Sequence, residues 1–277
     1  MYKMICIDID GTLIRPDQTI SGKVADTIRK AREKGVIIAL STGRMHRSAL
    51  LYSDELGLSD PIISSNGAYV SERDGKTVYY EENLSGDDVK DIHDVLEQFD
   101  TKINWYNHGT MYISEYRDYV GRYEALSRTL PEDRRIKIKY LNKDFTLDQL
   151  IRENGNEVQK GIVFPRIDLI PSIKAALSGN RRIKAVSSGL DNIEFTSHKA
   201  DKGLGVLALA KIKGIAPEEI IAIGDSENDL PMLKVVGMPV AMGNAMDSLF
   251  EVAKYVTGTN VEDGVATMIE KFILSEG

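Results

Sequence analysis

The feature that most constrains this chain is residues 3–9 (KMICIDI), an apolar run that carries a carboxylate, Asp8, near its end and a second, Asp10, just beyond it, before Gly11-Thr12. Such a run reads as a buried strand whose carboxyl end opens into a loop. Ser21 then offers an N-cap, Val24, Ile28 and Ala31 fall at helical spacing, and Gly35 ends the turn ahead of a second apolar run at 36–40 (VIIAL). Strand, helix and strand in this order form the right-handed parallel crossover of an α/β sheet.

The pattern returns late in the chain. A helix is expected at 203–212, strands at 220–223 and 238–241, and a closing helix with Val265, Met268, Ile269 and Phe272 on one face. Between the blocks, 62–80 reads as a strand and hairpin around Arg73-Asp74-Gly75. Residues 84–195 mix amphipathic helices with strands at 102–106, 136–141 and 161–164. A second domain inserted into the first fits this order best. The inserted stretch holds Trp105 and a run of tyrosines, which either pack a sheet or stack on a ligand.

At 277 residues with 42% hydrophobic content, the chain can bury a core of one large or two modest domains. No stretch approaches the roughly 18–20 apolar residues of a bilayer crossing, and the start lacks a signal peptide's pattern, so a cytoplasmic protein without a membrane partner is expected. The lone Cys6 allows neither an intrachain disulfide nor a thiolate metal cage; it is either a packing residue or a reactive thiol. A net charge of -7 argues against gathering nucleic acid by bulk field. Small anions, which need only a local positive pocket, remain.

Four polar clusters stand at expected strand ends or helix starts. Asp8 and Asp10 leave an apolar strand together and repel unless a cation lies between them, and their oxygens suit Mg²⁺. Ser41-Thr42-Gly43-Arg44 offers free N–H groups and a hydroxyl to phosphate oxygens, or simply caps a helix. Lys202-Gly203 opens a helix, where its ammonium reaches a bound anion or stays in solvent. Gly224-Asp225-Ser226-Glu227-Asn228-Asp229 follows a strand; it lacks the alternating spacing and final glutamate of a calcium loop. Ligands of open α/β sheets collect at the carboxyl ends of the strands, so the clusters converge on one edge. Together they supply a carboxylate nucleophile, a second carboxylate for proton transfer, metal ligands and donors for a phosphoryl group.

The chain resembles the haloacid dehalogenase-like phosphatases, specifically the Cof-type hydrolases. The resemblance runs through DIDGTL (8–13), STGR (41–44), SNGA (65–68), Lys202-Gly203, GDSENDLPML (224–233), AMGNA (241–245) and EDGVA (262–266). It implies an α/β fold with a Rossmann-like parallel-sheet core (1–83 and 196–277) and an inserted α+β cap (84–195) that sets specificity. It implies Asp8 as nucleophile and metal ligand, and Asp10 as general acid/base that also offers the metal its main-chain carbonyl. Asp225 and Ser226 would complete an Mg²⁺ site, and Ile9, Thr42, Gly43, Lys202 and Asn228 would bind phosphate. Thr12, Arg44 and Asp229 would support them. Lys199 is a rival for Lys202, which the following glycine and helix favour.

The implied activity is hydrolysis of a small phosphorylated metabolite through an aspartyl phosphate, by a monomer or weak homo-oligomer. A phosphosugar mutase of the same fold is the alternative, and a sugar bisphosphate separates the two by its isomerised product. A phospho-accepting receiver module shares the strand-end Asp, but it is about 120 residues long and lacks the second Asp. The leaving group is left open between sugar phosphates, a flavin mononucleotide and pyridoxal phosphate.

Overall fold

Five parallel strands form the core of the computed structural model, which describes residues 2–154 and 156–275. Their order is Tyr255–Val256, Met238–Ala241, Ile220–Gly224, Met4–Ile7 and Ile37–Leu40. Met4–Ile7 is buried along its whole length because both faces of the sheet are covered. Ile5 and Ile7 pack with Val24, Ile28, Val265 and Met268 on one side. Met4 and Cys6 pack with Val206 and Leu209 on the other. Burial pushes the Cys6 thiol up to about 12, which makes it a packing residue rather than a reactive one.

The helices expected after Ser21 and at 203–212 are present, the second one residue longer at each end, and the closing helix is α over Gly264–Ile269 and π over Glu270–Leu274. Ser21 Oγ accepts from Val24 N at 3.1 Å to open Gly22–Glu33. Asp201 caps Lys202–Lys213 by accepting from Leu204 N at 2.8 Å, and Gly214 ends it with φ 65°. The expected hairpin is a three-stranded antiparallel sheet, Ile62–Ser64, Tyr69–Ser71 and Val78–Glu81, turning through Gly75 at φ 67°.

The insert carries its own six-stranded sheet in the order Ile183–Val186, Ile193–Ser197, Lys160–Val163, Asn104–Tyr106, Thr110–Ile113 and Lys137–Tyr140. All neighbours are antiparallel except the last pair. Its second strand runs to Ser197, two residues beyond the boundary expected at 195. Alternation splits the aromatic residues between two faces. Trp105, Tyr112 and Phe195 pack against helices Gly86–Glu97 and Ile170–Leu177, while Tyr106, Met111 and Ile113 look the other way, toward Met45 of the core. The architecture is thus an α/β parallel-sheet core with an inserted α+β cap. Among the described residues, no helix is long and apolar enough to cross a membrane.

Candidate active site

Strand register decides which side chains meet. Ile7 pairs with both Leu40 and Ile223, so Asp8, Ser41 and Gly224 all stand at the carboxyl edge of three adjacent strands. Asp8 is 4% exposed there. The Lys202 ammonium, wholly buried, lies 2.6 Å from Asp8 Oδ1 and 2.6 Å from Asp229 Oδ1. Lys199 is exposed and makes no comparable approach. A solvated Lys202, the bland alternative, is therefore excluded by its burial.

Asp229 is fully engaged, since its other oxygen accepts from the main-chain N–H groups of Asp225 and Ser226, each at 3.0 Å. Asp225 receives Thr12 Oγ1 at 2.9 Å and Ser226 Oγ at 3.0 Å. Gly11 has φ 79°, and a Cβ on it would overlap Asp225 Oδ2. A side chain here would strain the loop and push the Asp225 carboxylate aside, so glycine suits this point.

Asp8, Asp225 and Asp229 each bring a carboxylate oxygen within 4.8 Å of the others. Burial above all, then crowding by Asp229 and Asp225, holds the Asp8 carboxyl well above its usual range despite Lys202. Burial and Asp229 raise Asp225 to about 7. Carboxylates crowded in this way with a single ammonium among them take up protons unless a metal cation takes the protons' place. An all-oxygen donor set with excess negative charge fits a hard divalent cation.

Asp10 stands apart from that trio. Its two oxygens receive Arg44 Nη2 at 2.6 Å and Arg44 Nε at 2.7 Å. Partial withdrawal from water acts to raise its pKa, but the Arg44 hydrogen bonds and charge win and hold it below the usual carboxylate range. Arg44 in turn donates to Gln18 Oε1 at 2.8 Å and lies over the Tyr52 ring. Thr42 is buried, its Oγ1 accepting from Arg44 N at 3.1 Å. Ile9 sends its side chain into the core, leaving only its main chain for a ligand. Asn228 Nδ2 donates to Asn66 Oδ1 at 3.0 Å.

A cavity of about 530 Å³ opens over these groups, with Asp8, Asp10, Gly43, Arg44, Ser226 and Asn228 on the core side. The insert supplies Tyr106, Tyr119, Arg122, Tyr123, Phe164, Lys160 and Glu194. Of the aromatic residues in the insert, then, Trp105 packs and Tyr106, Tyr119 and Tyr123 line the cavity. Sequence reasoning did not single out Lys160, Glu194 or Asn66 as site residues. The signal was a lone charge in each of two apolar strands, KGIV and IEFTS.

The profile of the haloacid dehalogenase-like hydrolases matches residues 5–269. The chain belongs to that family. Among curated haloacid dehalogenase-like relatives, the 5-amino-6-(5-phospho-D-ribitylamino)uracil phosphatase YitU of Bacillus subtilis is 31% identical over 278 residues, covering 97% of each chain. The pyridoxal phosphate phosphatase YbhA of Escherichia coli is 27% identical, covering 98% of this chain and 99% of its own. A solved haloacid dehalogenase-like hydrolase from B. subtilis superposes with TM-score 0.85 at 28% identity, covering 98% and 99%.

Proposed function

We propose that this chain is a Mg²⁺-dependent phosphatase that hydrolyses small organic phosphate monoesters through an aspartyl phosphate on Asp8. The observation that carries this reading is Asp8, which lines the cavity with Asp10 and is backed by the buried pair Lys202–Asp229. Asp8 and Asp225, with Ser226 and the main chain of Asp10 beside them, would hold Mg²⁺, which neutralises charge between Asp8 and the phosphoryl oxygens.

Lys202 holds Asp8 Oδ1, which leaves Oδ2 to attack phosphorus. The new O–P bond forms as the ester P–O bond breaks, and Asp10 gives the leaving oxygen a proton. Asp10 then takes a proton from the water that attacks the aspartyl phosphate, which frees inorganic phosphate and restores Asp8. Thr42, Gly43 and Lys202 would keep the phosphoryl group in place through both halves.

Residues 84–195 would act as the lid that excludes water and reads the leaving group. Tyr106, Tyr119, Tyr123 and Phe164 suit ring-bearing phosphates as well as sugar phosphates. The named activities of YitU and YbhA support that class.

The test is phosphate release across a panel of phosphometabolites with Mg²⁺, with Ca²⁺ and in chelator. Mg²⁺ should support turnover and Ca²⁺ support it poorly, since a looser shell lets both Asp8 oxygens coordinate. Undiminished turnover in excess chelator would remove the metal from the mechanism.

A further inference from the structure

Three consecutive carbonyls of the loop after strand Ile37–Leu40 are each held by a donor. Thr42 O accepts from Asn66 N at 3.0 Å, Arg44 O accepts from Ser65 N at 2.8 Å, and Gly43 O accepts from Lys160 Nζ at 2.5 Å. Each carbonyl fixes the plane of its peptide and so the direction of the N–H on the other side: Gly43 N–H for Thr42, and for Gly43 the Arg44 N–H, which donates to Thr42 Oγ1 and so holds that hydroxyl in place. The outer two donors come from a core turn in which Ser65 and Asn66 both hold positive φ, 50° and 56°. Residues other than glycine adopt that conformation at a cost, and here it aims two N–H groups at the loop. The middle donor comes from the insert.

Lys160 is itself held by Glu194, at 3.0 Å, on the neighbouring strand of the insert. Glu194 also accepts from Ser188 Oγ at 2.9 Å and from Asn66 Nδ2. The bonds close a ring from Gly43 through Lys160, Glu194 and Asn66 back to Thr42, with a branch from Asn66 to Asn228. Lys160 and Glu194 are 5% and 3% exposed. An ion pair at that depth repays its desolvation only with good geometry and further hydrogen bonds, which this ring supplies. A Cβ on Gly43 would lie 2.9 Å from Asn66 Oδ1 and 3.1 Å from Glu194 Oε2, so the ring also explains the glycine.

We propose that Lys160, oriented by Glu194, is a positioning residue through which the inserted domain completes the phosphate-binding loop. Docking of the insert and binding of a phosphoryl group then reinforce each other, as linkage requires. The inference rests on the phosphatase reading given above.

The experiment uses the full chain with Mg²⁺ and inorganic phosphate as the probe. It reads phosphate affinity, hydrogen exchange at 42–45 and 160–163, and the kcat and KM of an aryl phosphate. In the native protein, phosphate should protect both segments. Lys160→Met should weaken phosphate about tenfold, raise KM more than it lowers kcat, and abolish the phosphate-linked protection of 160–163. Lys160→Arg should recover most of this. Lys160→Met/Glu194→Gln removes both charges, leaves none buried alone, and should match Lys160→Met; it carries the test if the single variant does not fold.

Native phosphate affinity and native linked protection in either Met variant would overturn the proposal, as would variants that lose only thermal stability. A native protein in which phosphate protects both segments, yet which releases phosphate from no ester, would instead overturn the phosphatase reading and leave the coupling standing.

Discussion

Lys202 Nζ sits between Asp8 Oδ1 and Asp229 Oδ1, 2.6 Å from each, with no part of it exposed. Burial alone would discharge the lysine, but Asp229 and Asp8 hold its pKa above the ordinary value. Lys202→Met should leave two carboxylates crowded without their ammonium. Loss of stability of about 3–5 kcal/mol is expected in chelator, together with loss of phosphate release. Chemical denaturation with and without Mg²⁺ reads the first, and Mg²⁺ should restore part of it.

Asp10 and Asp8 divide the labour, so their variants should fail differently. Asp8→Asn should reduce turnover to background while substrate still binds. Asp10→Asn, given an aryl phosphate whose leaving group hardly needs a proton, should complete the first step and stall in the second. Acid quench and borohydride reduction should then convert residue 8 to homoserine. A burst of phenol with no modified residue 8 would refute the covalent route.

Arg44 holds the Asp10 pKa low, which suits the step in which Asp10 takes a proton from water and requires the Arg44 bonds to yield in the step in which Asp10 gives one. Arg44→Gln removes the stabilising charge, and the Asp10 pKa should rise. With an aryl phosphate, where hydrolysis of the aspartyl phosphate limits turnover, the acidic limb of the kcat profile should move to higher pH with little change at pH 8. An unmoved limb would assign that limb to another group.

His46 is buried against Arg73 O and Ser71, and burial, with His108 and Arg47, lowers its pKa to about 4. Its unfolded value is about 6.5, so the unfolded chain binds the extra proton first as pH falls. Stability from this group is complete above about 6.5 and is lost as pH drops to about 4, a loss on the order of 3 kcal/mol at most. His46→Gln should flatten the stability profile across that window. Urea unfolding at several pH values would measure it.

Gly11 faces Asp225 with φ 79°. Gly11→Ala should strain the loop and displace the Asp225 carboxylate, which weakens Mg²⁺ more than it weakens the fold. Titration of activity against Mg²⁺ should show a higher half-saturation point, with a melting shift of only a few degrees.

The core was legible because its signals are local. Apolar runs marked Met4–Ile7 and Ile37–Leu40, and Ser21 and Gly35 punctuated the helix between them. The glycine and helix after Lys202 pointed to it over Lys199, but its burial between Asp8 and Asp229 depends on partners 194 and 27 residues away. The bidentate bond of Arg44 to Asp10 was equally out of reach, because a side chain's choice between two neighbours is tertiary. Trp105 and Tyr106 could not be separated until their strand was seen to have one face on its own helices and the other on the cavity. Lys160 and Glu194 needed the register Ile162 to Glu194, which no single-strand pattern contains.

The strand Met4–Ile7 lies between Ile37–Leu40 and Ile220–Gly224, so one of its edges waits for a partner more than two hundred residues away. During synthesis about 180 residues separate the two partners, roughly 10–40 s at ordinary elongation rates. Throughout that interval the nascent core has an open apolar edge, while the insert, whose sheet partners all lie within 104–197, can already fold. The insert is therefore expected to be the first finished part of the molecule to leave the ribosome. The catalytic half closes last, when the strand at 220–224 arrives and ends the exposure of the first.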